Sequence, residues 1–189
     1  GLDVVVAGSQ KAFMLPTGLS FVAFSKKAQK QFSLSKTPRY AFDIRHEQKA
    51  NAKGETYFSS SVTLIRALDK ALDIILKNGL KNWHELAQKR AKWTMDGAQK
   101  LNLELYSKSP SPSLTAVRVP DSLDGQKLRE HLESKYNITV MGGQDSLKGK
   151  ILRIGHMGHI EKEDLLAFAG ALYLSLKDLG YTKLPDQNE

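Results

Sequence analysis

Apolar positions along the chain follow two patterns, and each predicts a different element. Leu2, Val4, Val5 and Val6 form a continuous β-branched run, the pattern of a strand buried on both faces. Leu19 to Phe24 is a second such run, reached through the Pro16-Thr17-Gly18 turn. Two strands cannot cover both faces of a parallel-type sheet. The start therefore reads as a cut edge, and the chain as the C-terminal part of a longer polypeptide or a fragment that pairs with another chain.

Further on, the period changes from strand to helix. Lys26 to Gln31 reads as a short helix, and residues 33–58 as a long, polar, irregular loop marked by Thr37-Pro38, Asn51 and Gly54. Val62, Ile65, Leu68, Leu72, Ile75 and Leu76 recur at helical spacing up to Asn78-Gly79, with Ser61 or a neighbouring serine as cap. Trp83, Leu86, Ala87, Ala91, Ala98 and Leu101 predict a second long helix whose polar face carries Lys89, Arg90 and Lys92. Both tryptophans, Trp83 and Trp93, read as core or helix-packing residues.

Strands are then expected at 103–106 and 114–119, separated by the stiff Ser-Pro-Ser-Pro-Ser loop at 109–113, and again at 138–141 and 151–154. Asp124 is placed to cap a helix burying Leu128 and Leu132. Leu165, Phe168, Ala169, Leu172, Tyr173 and Leu176 mark a last helix that ends near Gly180, with Glu161, Glu163 and Asp164 favouring its N-terminus. The tail beyond is expected to fray. The order β-β-α-β-β-α predicts an α+β unit, helices on one face of a mostly antiparallel sheet.

Composition narrows the function classes. A chain of 189 residues that is 41% hydrophobic can bury a sizeable core. No apolar run reaches the roughly 18 residues of a membrane span, and the start lacks the order of a signal peptide, so a cytoplasmic protein is expected, without membrane partners. Zero cysteines exclude disulfides, thiolate metal sites, an iron–sulfur ligand set and a cysteine nucleophile within this chain. The net charge of +8 comes from 28 Lys/Arg interleaved with 20 Asp/Glu, and the densest basic run is Lys26, Lys27 and Lys30. Such interleaving predicts a solvated basic surface and no nucleic-acid partner. His156 and His159 stand three apart across Met157-Gly158 without a third ligand nearby, so no metal is expected.

Gly8-Ser9-Gln10-Lys11 raises the question of chemistry. A lysine emerging from a buried strand beside main-chain dipoles is well placed to lose its proton and act as a nucleophile, and Ser9 and Gln10 can donate to an anion. By spacing alone, a solvated lysine after a strand remains the simpler account. The wording adds more. Ala7-Gly8-Ser9-Gln10-Lys11-Ala12 followed by Pro16-Thr17-Gly18, then Tyr40-Ala41-Phe42-Asp43-Ile44, Gly54-Glu55-Thr56-Tyr57-Phe58-Ser59, and Met141-Gly142-Gly143 with Leu152-Arg153-Ile154-Gly155-His156-Met157-Gly158, resembles the class V pyridoxal-phosphate (PLP) aminotransferases of the alanine-glyoxylate and serine-glyoxylate type. Four matches in the family's order cover nearly the whole chain. Thr17 stands where a proline is usual, Tyr57 replaces the proline of the Thr-Pro-x-Thr text, and Ser59 its second threonine.

The resemblance implies an α/β fold of the fold-type I PLP-dependent transferase kind. Residues 1–58 would end the large PLP-binding domain, 59–79 form a connecting helix, and 80–189 make the small α+β domain. Lys11 would hold pyridoxal phosphate as the internal aldimine and then move the substrate's α-proton. Gln10 would touch the phosphate, while Thr56 and Ser59 would reach the phosphate of a partner subunit's cofactor, which implies a homodimer. Arg153 would clamp the substrate carboxylate; without the resemblance, a salt-bridged strand arginine would be the favoured account. The family's aspartate on the pyridine nitrogen, its stacking aromatic residue and its glycine-rich phosphate loop have no counterpart here. The piece alone is therefore expected to lack part of the site and to be inactive. The implied activity is transfer of an amino group from a small amino acid of the alanine or serine type to a 2-oxo acid such as glyoxylate or pyruvate. A basic interaction module, binding a polyanion or partner protein without catalysis, is the alternative that charge suggests.

Overall fold

The structure is a computed structural model and describes residues 1–185. It divides into two compact units, Gly1–Lys77 and Asn78–Glu189.

In the first unit, β1 (Val4–Gly8) pairs antiparallel with β2 (Ser20–Phe24), in register Val4 to Phe24 and Gly8 to Ser20. The expectation of strands buried on both faces is not met within this chain, where Val4, Val5, Val6 and Val22 are all exposed. A two-stranded ribbon offers no second layer to cover them. Short α1 (Lys26–Lys30) follows, capped by Ser25, whose Oγ accepts from the Ala28 amide.

The stretch expected to be a long loop contains a helix, α2 (Ile44–Asn51). Asp43 starts it, accepting from the Arg45 amide and gripping the Arg45 guanidinium. The helix has few apolar residues, so periodicity could not reveal it; the Asp43 cap was its available signal. α3 (Val62–Asn78) forms where the apolar spacing places it. Ala71 is the one buried apolar residue of this unit among the described residues, whereas Ser9 and Asp43 are buried and polar.

Gly79, at φ +81°, separates α3 from α4 (Leu80–Lys100), a backbone conformation glycine adopts without strain. The second unit continues with β3 (Leu114–Arg118), α5 (Gly125–Tyr136), β4 (Met141–Gly142), a 3-10 turn at Asp145–Leu147, β5 (Ile151–Gly155) and α6 (Lys162–Asp178). The sheet is antiparallel in the order β3-β5-β4. It has one strand fewer than expected, since 103–106 contributes only an isolated bridge from Leu105 to Val117, and 138–141 shrinks to the two residues of β4.

The core lies in this second unit. Leu128 and Leu132 of α5, Val117 and Leu152 of the sheet, and Leu172 and Leu176 of α6 are at most 1% exposed. Asp124 caps α5 through the Gln126 and Lys127 amides. Glu161 and Asp164 form a reciprocal capping box on α6. The tail does not fray at once: Tyr181 is buried and donates to the Asn102 carbonyl at 2.9 Å, and Asn102 Nδ2 donates to the Lys183 carbonyl at 2.7 Å. The end of the tail expected to fray, residues 186–189, lies outside the described residues.

Candidate functional site

Lys11 sits in the turn that leaves β1, on a loop running from residue 9 to residue 19. Ser9 closes that loop. Its amide donates to the Leu19 carbonyl at 3.0 Å and its carbonyl accepts from Leu15 at 3.1 Å. Its hydroxyl donates to the Pro16 carbonyl at 2.7 Å and accepts from the Leu19 amide at 3.2 Å. The side chain is wholly buried, so Ser9 is not the anion donor its position in the motif suggested; it is the clasp of the loop. Lys11 and Gln10 remain exposed on the turn. Lys11 makes no ion pair among the described residues, and its backbone is fixed by the Gly8 carbonyl behind it and the Met14 amide ahead.

Thr56 and Ser59 are both exposed on the segment that leads into α3. Thr56 Oγ1 donates to the Phe58 carbonyl at 2.7 Å and lies 3.1 Å from the Ser60 hydroxyl, so Thr56 shares its local network with Ser60 rather than Ser59. The Tyr57 amide donates to Glu47 of α2 at 3.2 Å, and the Tyr57 ring packs on His46 at 4.7 Å. These contacts supply the stiffness that a proline at this position would otherwise give. A hydrogen bond with Tyr40, reinforced by burial, pushes the Tyr57 hydroxyl up. Below it, Asp43 lies between Arg45 and Arg39, and the Arg45 hydrogen bonds hold its carboxyl well below the usual carboxylate range. No hydrogen bond or ion pair among the described residues joins the Lys11 turn to Thr56 or Ser59.

Arg153 belongs to the second unit, on β5 opposite Ala116 and Met141. Its Nε donates to the Gly142 carbonyl at 2.7 Å. That bond fixes the plane of the guanidinium while leaving both Nη groups without a partner, and no carboxylate pairs with it among the described residues. The salt-bridged arginine that the sequence alone favoured is not what the structure shows. An oriented, unpaired fork is suited to a planar carboxylate.

Behind this strand lies a polar cluster that the sequence pattern concealed. Arg90, assigned to the polar face of α4, is 3% exposed, and its Nη1 donates to the Gly158 carbonyl at 2.7 Å. Arg90 follows Ala87 by three and precedes Thr94 and Ala98 at helical intervals, on the stripe that α4 buries, but its charge assigned it to the polar face. Burial pushes the Arg90 guanidinium down, opposed by Glu161 and Asp164. His156 is fully buried, 2.9 Å from the Thr115 hydroxyl through Nε2. Burial first, and then the Arg90 charge, push its imidazole down. Its supposed companion His159 is exposed beside Glu161 at 3.7 Å.

Comparison with solved structures gives the chain the fold of the fold-type I PLP-dependent transferases. The chain superposes on pyridoxamine-pyruvate aminotransferase from Mesorhizobium loti with a TM-score of 0.89 and 29% identity, covering 95% of this chain and 48% of that one. It is 33% identical over 185 residues to a serine-glyoxylate aminotransferase of Arabidopsis thaliana. It is also 39% identical over 184 residues to a protein of a Synechococcus strain that is named the small subunit of a soluble hydrogenase. The chain corresponds to the C-terminal portion of the class V PLP-dependent aminotransferases. It covers 96% of its own length in both sequence matches, and spans about half the length of the curated relatives it matches. No family model matches it. Among the described residues no helix is long and apolar enough to cross a membrane.

Proposed function

We propose that this chain supplies the lysine and the carboxylate-binding arginine of a PLP-dependent transaminase that moves an amino group from a small amino acid, of the alanine or serine type, to a 2-oxo acid such as glyoxylate or pyruvate. The observation that carries the proposal is the state of Lys11: exposed, without an ion pair among the described residues, and held on a loop whose base is locked by a buried serine. An amine so placed is available to bond a carbonyl carbon. The residues present fit the cofactor: Gln10 and Ser59 offer exposed donors of the kind that hold a phosphate, and the exposed Thr56 hydroxyl would do so by turning from the Phe58 carbonyl.

Pyridoxal phosphate, when bound, supplies the electron sink that makes the substrate's Cα–H acidic. Lys11 Nζ would hold the cofactor in the resting enzyme and, once released by the incoming amine, take the proton from Cα. Gln10 would bind the phosphate. Thr56 and Ser59, exposed on the segment that leads into α3, would serve the phosphate of a second copy in a cytoplasmic homodimer. Arg153, with Nε committed to Gly142, would bind the substrate carboxylate through its two Nη groups. In this reading residues 1–58 end the large domain, 59–79 connect, and 80–189 form the small domain.

The alternative of a basic interaction module is less well supported, because Lys27 in the densest basic run is 3.0 Å from Asp3 and partly neutralised. Borohydride trapping in the presence of pyridoxal phosphate, on the full-length protein that includes this chain, decides between them. A pyridoxyl group on the Lys11 peptide is expected. No adduct on a folded protein would sink the transaminase reading, and steep salt dependence of polyanion binding would then favour the module.

A further inference from the structure

We propose that the second unit carries a binding site for a small amphipathic anion, an aliphatic or aromatic carboxylate, in the cavity between α4 and α6. The cavity has a volume of about 400 Å³, within the range of sites that take small molecules. It exists because small residues face one another where two helices meet. Gly97 and Ala98 on α4 stand opposite Ala169 on α6, and a Cβ built on Gly97 would meet nothing within 4 Å. Two well-packed helices would fill that space with side chains.

The walls are apolar. Trp93, Leu101, Ile154, Leu165, Phe168 and Leu172 line the cavity. Ile154 reaches it from the sheet, and alternation along β5 turns the neighbouring Arg153 to the other face. The rim is cationic. Lys162 lies 5.8 Å from the centre of the Trp93 ring, and Lys100 ends α4; neither makes an ion pair among the described residues. Asp96, the acidic residue in the lining, is held by Lys92 at 2.7 Å. Of the carboxylates near Lys162, Glu161 and Asp164 are turned onto the start of α6 by their capping box. An apolar interior with free ammonium groups at its mouth and its acid neutralised selects a ligand with a hydrocarbon body and one negative end.

The test uses the full-length protein that includes this chain and a series of straight-chain carboxylates from hexanoate to dodecanoate, with binding measured by calorimetry. Affinity is expected to tighten about fourfold with each added methylene, until the cavity is filled and the series levels off. A chain-matched alkyltrimethylammonium is expected not to bind. Gly97→Leu should abolish binding while leaving the melting temperature unchanged or higher, because leucine is the better helix former and enters open space. Ala169→Met, filling the same cavity from α6, does the same should the first variant fold poorly. Lys100→Gln and Lys162→Gln should each weaken binding about two- to fivefold. Non-saturating binding, equal binding of the cation, or unchanged binding by the folded filled variants would overturn the proposal. So would self-association that Gly97→Leu abolishes without any carboxylate binding, since the cavity would then belong to a second copy.

Discussion

The Ser9 hydroxyl donates to the Pro16 carbonyl at 2.7 Å across a loop that carries Lys11 between them. The same oxygen accepts from Leu19. One buried side chain therefore sets the exit of β1, the entry to β2, and the platform on which the lysine stands. Ser9→Ala leaves a carbonyl and an amide without their partner, a change that typically costs about 1 to 3 kcal/mol. We expect lower stability in urea unfolding, with faster hydrogen exchange confined first to residues 9–19. Exchange that is unchanged in that loop would show that the clasp is dispensable.

Arg90 and Gly158 are joined over an even longer separation in sequence, and the bond anchors the turn that follows β5. Arg90→Met keeps much of the bulk but strands the Gly158 carbonyl and removes a charged donor. A loss of about 1.5 to 3 kcal/mol is expected on chemical denaturation. Arg90→Lys should recover only part of it, since an ammonium cannot reproduce the planar guanidinium. Full recovery by lysine would contradict a directional role.

His156 gives a pH dependence whose sign follows from burial. Its imidazole is pushed down in the folded state, mainly by desolvation, whereas the unfolded chain titrates near the ordinary value of 6.5. The unfolded state then binds the extra proton, so this contribution is present above about pH 6.5 and is lost as pH falls below it. The limiting slope for one proton is about 1.4 kcal/mol per pH unit. His156→Gln, which retains a donor toward Thr115, should flatten the stability profile between pH 5 and 7. Identical slopes for both proteins would assign the titration elsewhere.

The second unit was largely legible because its helices bury regular stripes: Leu128 and Leu132, or Phe168, Leu172 and Leu176, recur at helical spacing. Elements whose partners are polar were not. Helix α2 depends on the Asp43 cap, and Arg90 is buried through a carbonyl 68 residues away. The short β4 illustrates a third reason. Its two residues pair only where β5 passes, so the apolar run at 138–141 marks burial of Val140 better than it marks a strand. At the candidate site, the lysine motif was readable as wording, while the role of Ser9 required the return of the chain ten residues later. Arg153 could not be told from a salt-bridged arginine until its surroundings were known.

Asp43 offers an acid-range counterpart to His156. The Arg45 hydrogen bonds hold its carboxyl far below the usual value of 3.8. A depressed carboxylate contributes stability above the unfolded value, and that contribution disappears as pH falls through the folded one. The Asp43 contribution should therefore persist through pH 4 and fade only in stronger acid. Asp43→Asn keeps a helix-capping oxygen but releases Arg39 and Arg45. We expect the variant to retain α2 by hydrogen exchange, yet to lose the difference in stability between pH 5 and pH 2 that Asp43 supplies. A variant profile superimposable on the parent's would show that the ion cluster does not govern acid stability.

Arg153 carries the prediction closest to the proposed chemistry. With Nε held by Gly142, its two Nη groups present a planar edge that a carboxylate can meet with two parallel hydrogen bonds. Lysine offers a point charge on a flexible stem and cannot make both the Gly142 bond and a paired contact with substrate. In the full-length protein, Arg153→Lys should raise KM for the amino acid by about tenfold to a hundredfold, the span expected for losing a charged hydrogen bond. Trapping of the cofactor at Lys11 should be unaffected, because that bond forms before any carboxylate arrives. A variant that lost trapping along with substrate binding would place Arg153 in the architecture of the site rather than at the substrate.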